Sequence, residues 1–243
     1  MQTACRTILQ IAAAALALTT PVAAMAADRA SDGGVIVVGH VPGANGFGAG
    51  TIVGINGSSV RILTANHVAN FGILSVQFDD GSSVPAHIVA QFPQRDVAVI
   101  EATVSPAVAA TLHTATVAAP RSSEAVHIWG SGVNGPAEEL AAVSTVGAPM
   151  PDGPANNRFA LGCDTCHRGD SGGGVFNARG ELVGIFVGYF VLDSGTHVSV
   201  AELAPAEALN IARSTMPAAT LGAAATPNAG TAMTLASAVN PAK

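Results

Sequence analysis

Charge is scarce in this 243-residue chain, and lysine is nearly missing: the single one is Lys243, the last residue. Ten basic groups stand against 16 acidic ones. No basic patch can be assembled from so few scattered arginines, which excludes nucleic acid and anionic lipid as main partners. Cysteine is sparse as well, with three in all. Long uninterrupted apolar runs are also lacking beyond the first thirty residues. The high apolar content, 49%, would suit a membrane protein, yet every later stretch meets Gly, Pro or a charge before the roughly 20 residues needed to span. A soluble chain is expected, with no membrane partner once its leader is gone.

That leader is the N-terminus. Arg6 supplies a positive start, Ile8 to Leu18 an apolar run, and Ala24-Met25-Ala26 the small-x-small pattern of a cleavage site. Thr19, Thr20 and Pro21 break the run too early for a membrane anchor. Residues 1–26 therefore read as a signal peptide, and the location as secreted or periplasmic. Loss of Arg6 and Cys5 with it leaves a net charge of about −7 and one pair of cysteines, Cys163 and Cys166. An even pair in an exported protein favours a disulfide. Cys163-x-x-Cys166-His167 also matches a c-type haem attachment pattern, and free thiols or metal ligation are further alternatives. The motif abuts a glycine-rich loop in a strand-rich sequence, so the disulfide is the expectation.

What the chain has in abundance is short β-type runs. Val35 to Val38, Gly50 to Ile55, Val60 to Thr64, Leu74 to Phe78, Ala86 to Ala90 and Val97 to Ala102 form a first set. Ala125 to Trp129, Leu140 to Val146, Arg158 to Leu161, Gly174 to Asn177, Leu182 to Tyr189 and His197 to Val200 form a second. Asn56-Gly57 is a hairpin signal, and Asp79-Asp80-Gly81-Ser82 reads as another turn. Between the sets, Ser105 to Pro120 holds no period and reads as a linker. Pro205 stands at a plausible first helical position before Ala206 to Arg213. Residues 217–243 are Ala, Thr, Gly and Pro with almost no charge, the composition of a disordered tail. The expected organisation is a unit at 33–112, a second at 121–213 ending in the helix, and the tail.

Three segments could carry chemistry. Thr64-Ala65-Asn66-His67 ends a strand at a histidine, and Arg95-Asp96-Val97-Ala98 puts an acid at the mouth of another. Gly169-Asp170-Ser171-Gly172-Gly173 sets a serine in a glycine loop. A hydroxyl needs a base, an orienting carboxylate and an oxyanion site to act as a nucleophile at neutral pH. Each segment alone would usually be structural. Of the seven histidines, His40, His87, His113, His127 and His197 read as structural or solvated.

Together and in this order, the segments resemble the chymotrypsin/trypsin-like serine protease family. Thr-Ala-Asn-His is similar to its Thr-Ala-x-His, Asp96-Val97-Ala98 to its Asp-[Ile/Val]-Ala, and residues 169–173 to its Gly-Asp-Ser-Gly-Gly. The order His, Asp, Ser separates it from subtilisins and α/β-hydrolases. The resemblance runs from about residue 34 to 213. It implies an all-β fold of two antiparallel six-stranded barrels with a C-terminal helix. It also implies a secreted, monomeric serine endopeptidase acting on a protein or peptide substrate through an acyl-enzyme, without cofactor or metal. Ser171 would be nucleophile, His67 base and Asp96 orienter, with the N–H groups of Gly169 and Ser171 as oxyanion hole. The alternative is a weakly active or inactive barrel serving as a binding scaffold.

Departures from the family pattern bear on activation and specificity. The position six before the nucleophile, which floors the family's primary pocket, is Thr165; it is not acidic, so a preference for Lys or Arg is not expected. His167 is a candidate for the cleft wall, and Val187 replaces the serine that usually follows Val-Gly-Ile in the wall strand. The family's activated zymogens use an apolar-Val-Gly-Gly terminus to pair with the acid before the nucleophile. Gly33-Gly34-Val35-Ile36 has no basic cleavage site directly before it. Asp170 is expected to pair internally instead, with an arginine or a backbone amide.

Overall fold

The computed structural model describes residues 33–131, 137–146, 157–163, 165–191 and 197–214. The expected signal peptide at 1–26 and tail at 217–243 lie outside the described residues. The chain is mostly β. Six strands, β1 (Gly34–Val41), β2 (Ala44–Asn56), β3 (Ser59–Ala65), β4 (Ile73–Gln77), β5 (Ser83–Phe92) and β6 (Val97–Thr103), close into a barrel in the order β1-β2-β3-β6-β5-β4. Its tight turns fall where the sequence places them. Asn56 pairs with Ser59 across Asn56-Gly57, whose glycine has φ +59°. Gln77 pairs with Ser83 across the Asp-Asp-Gly-Ser turn.

Strand periodicity explains why β3 and β6 are apolar almost throughout. Successive side chains point to opposite faces of a strand, and here both faces are covered. Ile62 pairs with Ile100, and both point into the barrel with Val35, Val37 and Ile52. The next pair, Leu63 and Val99, points outward against Trp129, Phe176 and Ile185 of the second sheet. Burying a side chain of this size is worth about 1.5–3 kcal/mol, so this seam is a main source of cohesion between the halves. β5 alternates exposed and half-buried positions from Ser83 to His87, as an outer wall should, and the alternation breaks at the bulge between Ile88 and Ala90.

The second sheet holds β7 (Thr116–Val117), β8 (Ala125–Gly130), β9 (Ala137–Val146), β10 (Arg158–Gly162), β11 (Gly174–Asn177), β12 (Glu181–Val191) and β13 (His197–Glu202). The order is β11-β8-β9-β10-β13-β12-β7, with a further pairing of β11 and β12. Val126, Ile128, Phe159, Val175 and Phe186 form its own core. Three helices are described: α1 (Asn66–Ala69), α2 (Pro106–Ala109) and α3 (Ala206–Arg213).

Two sequence expectations need correction. The stretch from Ser105 to Pro120 is not structureless. Ser105 caps α2 by accepting from Val108 N at 3.2 Å, and β7 lies parallel to β12. The crossing is fixed at both sides, by Ala115 N to Ile52 O (3.0 Å) and Ala118 N to Leu182 O (2.9 Å). Pro205 is the N-cap of α3 rather than its first helical residue. The α3 helix also returns to the first barrel. Arg61 donates to Ile211 O at 2.6 Å, and a side chain on Gly54 would lie 2.0 Å from Ala212 O. Its fully buried residues are the small Ala208 and Ala212; Leu209 and Ile211 pack at the margin.

Candidate active site

His67 sits in the single turn of α1, directly after β3. Thr64 anchors that junction by donating its hydroxyl to Ala49 O at 2.7 Å in the buried interior. Gln91 of β5 braces both ends of α1, donating to Asn66 Oδ1 (2.9 Å) and Asn70 Oδ1 (2.8 Å). Nothing in the residue pattern around Gln91 announces this brace, whose partners lie 25 and 21 residues away in the chain.

Asp96 lies between a 3-10 turn, Pro93–Arg95, and β6. Its backbone is left-handed, φ +50° and ψ +39°. Aspartate tolerates this region better than most residues, but strain of about 1–3 kcal/mol still has to be held by the surroundings. Asp96 N donates to Pro93 O at 3.2 Å, and three further bonds hold it. Asp96 O accepts Asn66 N at 2.9 Å, Oδ1 accepts His67 N at 2.9 Å, and Oδ2 lies 2.7 Å from His67 Nδ1. The carboxylate thus grips both the backbone and the ring of one histidine. With Nδ1–H donating to Asp96, Nε2 is the nitrogen left to accept a proton.

Ser171 comes from the loop before β11. That loop is tied into both sheets: Ala49 N donates to Ser171 O (2.8 Å), Gly172 N to Phe186 O (2.7 Å) and Phe186 N to Gly173 O (2.8 Å). Gly172 has φ +91°, and a Cβ there would lie 2.2 Å from Ala49 O. Only glycine lets the first barrel approach this closely. Gly169 has φ +104°, and its carbonyl accepts Ser131 Oγ at 2.5 Å. Among the described residues, no carbonyl takes the N–H of Gly169 or of Ser171. A cavity of about 210 Å³ is lined by His67, Ser171, Gly169, Arg168, Phe47 and Phe71, among others. Two of the three expected segments line this cavity, and the third is joined to it through the bonds from Asp96 to His67.

The other expected site residues are placed less centrally. Thr165 is exposed and does not line this cavity, and neither does His167, whose ring lies 3.1 Å from Asp170 Oδ2. Val187 is half-buried at a bulge of β12, between Phe186 and Gly188. Arg168, Phe47 and Phe71 were not expected; their nearness to the motifs was a signal only for Arg168. Asp170 accepts the backbone N–H of His167 at 2.7 Å, the amide partner that was one of its two expected kinds. Cys163 and Cys166 form a disulfide with Cα atoms 5.6 Å apart. With both sulfurs so bonded, neither remains for the thioether attachment that haem would require. His127 is buried on β8, and burial pushes its imidazole below the ordinary histidine value, which suits a structural role.

The fold and these motifs define a class, and the comparisons agree. The chain belongs to the trypsin-like peptidase family: the model of the trypsin-like peptidase domain matches residues 48–185. Solved structures extend the likeness. The HtrA-type protease AlgW with a tripeptide is 22% identical with a TM-score of 0.63, covering 74% of this chain and 59% of that one. A serine endoprotease from Yersinia pestis is 23% identical, TM-score 0.60, over 73% and 61% of the two chains. AlgW with a decapeptide gives 19% and 0.61, over 77% and 65%. The chain thus spans less than two thirds of the length of these structures, and at such identities they show the fold alone. No curated protein matches the chain. No helix among the described residues is long and apolar enough to cross a membrane.

Proposed function

We propose that this protein is an exported serine endopeptidase that hydrolyses peptide bonds through an acyl-enzyme on Ser171. The observation that carries this reading is the convergence of His67, paired through Nδ1 to Asp96 at 2.7 Å, and Ser171 on one cavity. His67 Nε2 takes the proton from Ser171 Oγ as the oxygen bonds to the scissile carbonyl carbon. The same proton passes to the leaving nitrogen as the C–N bond breaks, and water then repeats the sequence to free the acid. Asp96 holds the imidazole in the tautomer this requires and offsets its charge. The N–H groups of Gly169 and Ser171 receive the developing oxyanion. Loss of one such donor raises a barrier by about 3–4 kcal/mol.

The proposed units are 33–112 and 121–213. The second sheet is read as a second six-stranded barrel, a reading supported by the β11–β12 pairing, with β7 as an added edge strand. The expected signal at 1–26 supports export to a periplasm or the exterior, and the protein works as a monomer without cofactor. The substrate is a protein or peptide. Arg168 on the cavity wall beside Phe47 and Phe71 favours apolar over basic side chains there, in keeping with the neutral Thr165.

Digestion of an unfolded protein substrate, with mass spectrometry of the fragments, tests the reading. Cleavage after residues other than Lys and Arg, lost in His67→Ala, is expected. Intact substrate with wild-type protein would favour the scaffold alternative, and cleavage mainly after Lys or Arg would overturn the specificity.

A further inference from the structure

Asp170 directly precedes Ser171 and is only 1% exposed. A carboxyl group taken out of water is costly unless donors replace the solvent. His167 provides two of them, its backbone N–H at 2.7 Å and its ring Nδ1 at 3.1 Å, both to Oδ2. The other oxygen is pressed against the chain, since a Cβ on Gly130 would lie 2.1 Å from Oδ1. The loop from His167 to Gly173 also closes on itself through the backbone, with Asp170 N donating to His167 O at 3.3 Å and Gly173 N to Asp170 O at 2.9 Å. Between His167 and Asp170 stand Arg168 and Gly169, so the span closed by the His–Asp pair is the one that aims the N–H of Gly169. The disulfide from Cys163 to Cys166 ends at the residue before His167, which fixes where the histidine leaves the preceding loop.

We infer that His167 is a positioning residue: through its Nδ1–Asp170 bond it holds the Gly169 and Ser171 N–H groups toward the oxyanion. This inference rests on the proposed acyl-transfer chemistry and assigns the loop's shape to a partner three residues away. The His167 ring is 47% exposed, so its far edge meets solvent while Nδ1 is engaged. The role does not require contact with substrate, and His167 does not line the cavity shared by His67 and Ser171. Its effect should therefore fall on the transition state, where the oxyanion forms, rather than on substrate binding.

Asparagine and glutamine separate this role from mere packing. The amide nitrogen of asparagine can stand where Nδ1 stands, whereas that of glutamine reaches the Nε2 position. Steady-state kinetics on one peptide substrate would compare wild type with His167→Asn, His167→Gln and His167→Ala, each checked for a native unfolding transition. The expected result is a fall in kcat of about 10-fold to 100-fold in His167→Ala and His167→Gln, at a KM within about 3-fold of wild type, scaled from the loss of an oxyanion donor. His167→Asn should recover most of the kcat. Equal kcat in the Asn and Gln variants, or a loss expressed in KM alone, would overturn the inference, and the comparison stands even if the alanine variant does not fold. Failure of the acyl-transfer reading itself would look different: wild type would show no turnover at all.

Discussion

Arg95, the residue just before Asp96, reaches across to Glu202 of the second sheet, donating Nε to its Oε1 and a second N–H to Leu203 O at 2.6 Å. Glu202 is 1% exposed and takes Arg158 Nε on its other oxygen at 2.8 Å. The strained turn that carries Asp96 is thereby fastened to the half of the molecule that carries Ser171. Burial pushes the Glu202 carboxyl above the usual glutamate value, against the opposing pull of the bonds and charges of the two arginines. Folding thus favours its protonated form. Stability from this group is complete below the unfolded value, about 4.3, and declines as pH rises through the folded one. Arg95→Ala leaves the buried carboxylate one guanidinium short. The expected loss is about 2–4 kcal/mol at pH 8, shrinking toward acid pH. Urea unfolding at pH 8 and pH 4 measures both, and equal losses would contradict the clamp.

The Arg61–Glu101 pair titrates with the opposite sign. Burial raises the Glu101 carboxyl, but the bonds from Arg61 and Ser59 and the charges of Arg61 and His87 outweigh it, and the net direction is down. Its contribution is present above the unfolded value and lost as pH falls through the folded one. Glu101→Gln should cost about 1–2 kcal/mol at pH 7. Unfolding curves of variant and wild type should converge as the pH drops below about 4.3.

Gly172 and Gly57 both have positive φ, yet they should answer differently to alanine. At Gly57 a Cβ meets nothing within 4 Å, so Gly57→Ala costs only the conformational strain, about 1–2 kcal/mol. At Gly172 the new methyl would strike Ala49 O and Thr64 Oγ1, 2.2 Å and 2.3 Å away. Gly172→Ala should cost about 2–4 kcal/mol and separate the halves near Ser171. Thermal unfolding of the two variants gives the comparison; equal melting temperatures would remove the close approach as the reason for glycine here.

The Cys163–Cys166 staple closes a very short loop, which limits what it can add to global stability to about 2 kcal/mol. Cys163→Ser/Cys166→Ser is expected to stay folded with a small drop in denaturation midpoint. Non-reducing mass spectrometry of wild type should show no alkylatable thiol at either position. A Soret band on the purified protein would contradict the disulfide reading.

Much of this molecule is legible in its sequence, for reasons that differ by element. The strands around Ile62 and Ile100 announce themselves because two covered faces demand continuous apolar runs, and Asn56-Gly57 announces its hairpin because few dipeptides accept that backbone. The residues His67, Asp96 and Ser171 stand in short motifs whose chain order is itself informative. Thr116 and Val117 are different: their strand character comes from pairing with Glu181 and Leu182, and two residues carry no period. Gln91, Arg95 and Glu202 act across 21 to 108 residues of chain, beyond any local pattern. The His167–Asp170 pair is close in sequence but depends on one side chain's rotamer. Thr165, six residues before Ser171, is exposed and does not line the cavity of His67 and Ser171; its place at a pocket floor is what the resemblance implies.

The central claim is that Ser171 is a nucleophile activated by His67 and Asp96. Covalent labelling by a fluorophosphonate probe, followed by mapping of the modified peptide, tests it most directly. Wild type should carry a single adduct on Ser171, Ser171→Ala should carry none, and Asp96→Asn should label far more slowly at the same position. An unlabelled wild type, or equal labelling of Ser171→Ala, would contradict the account.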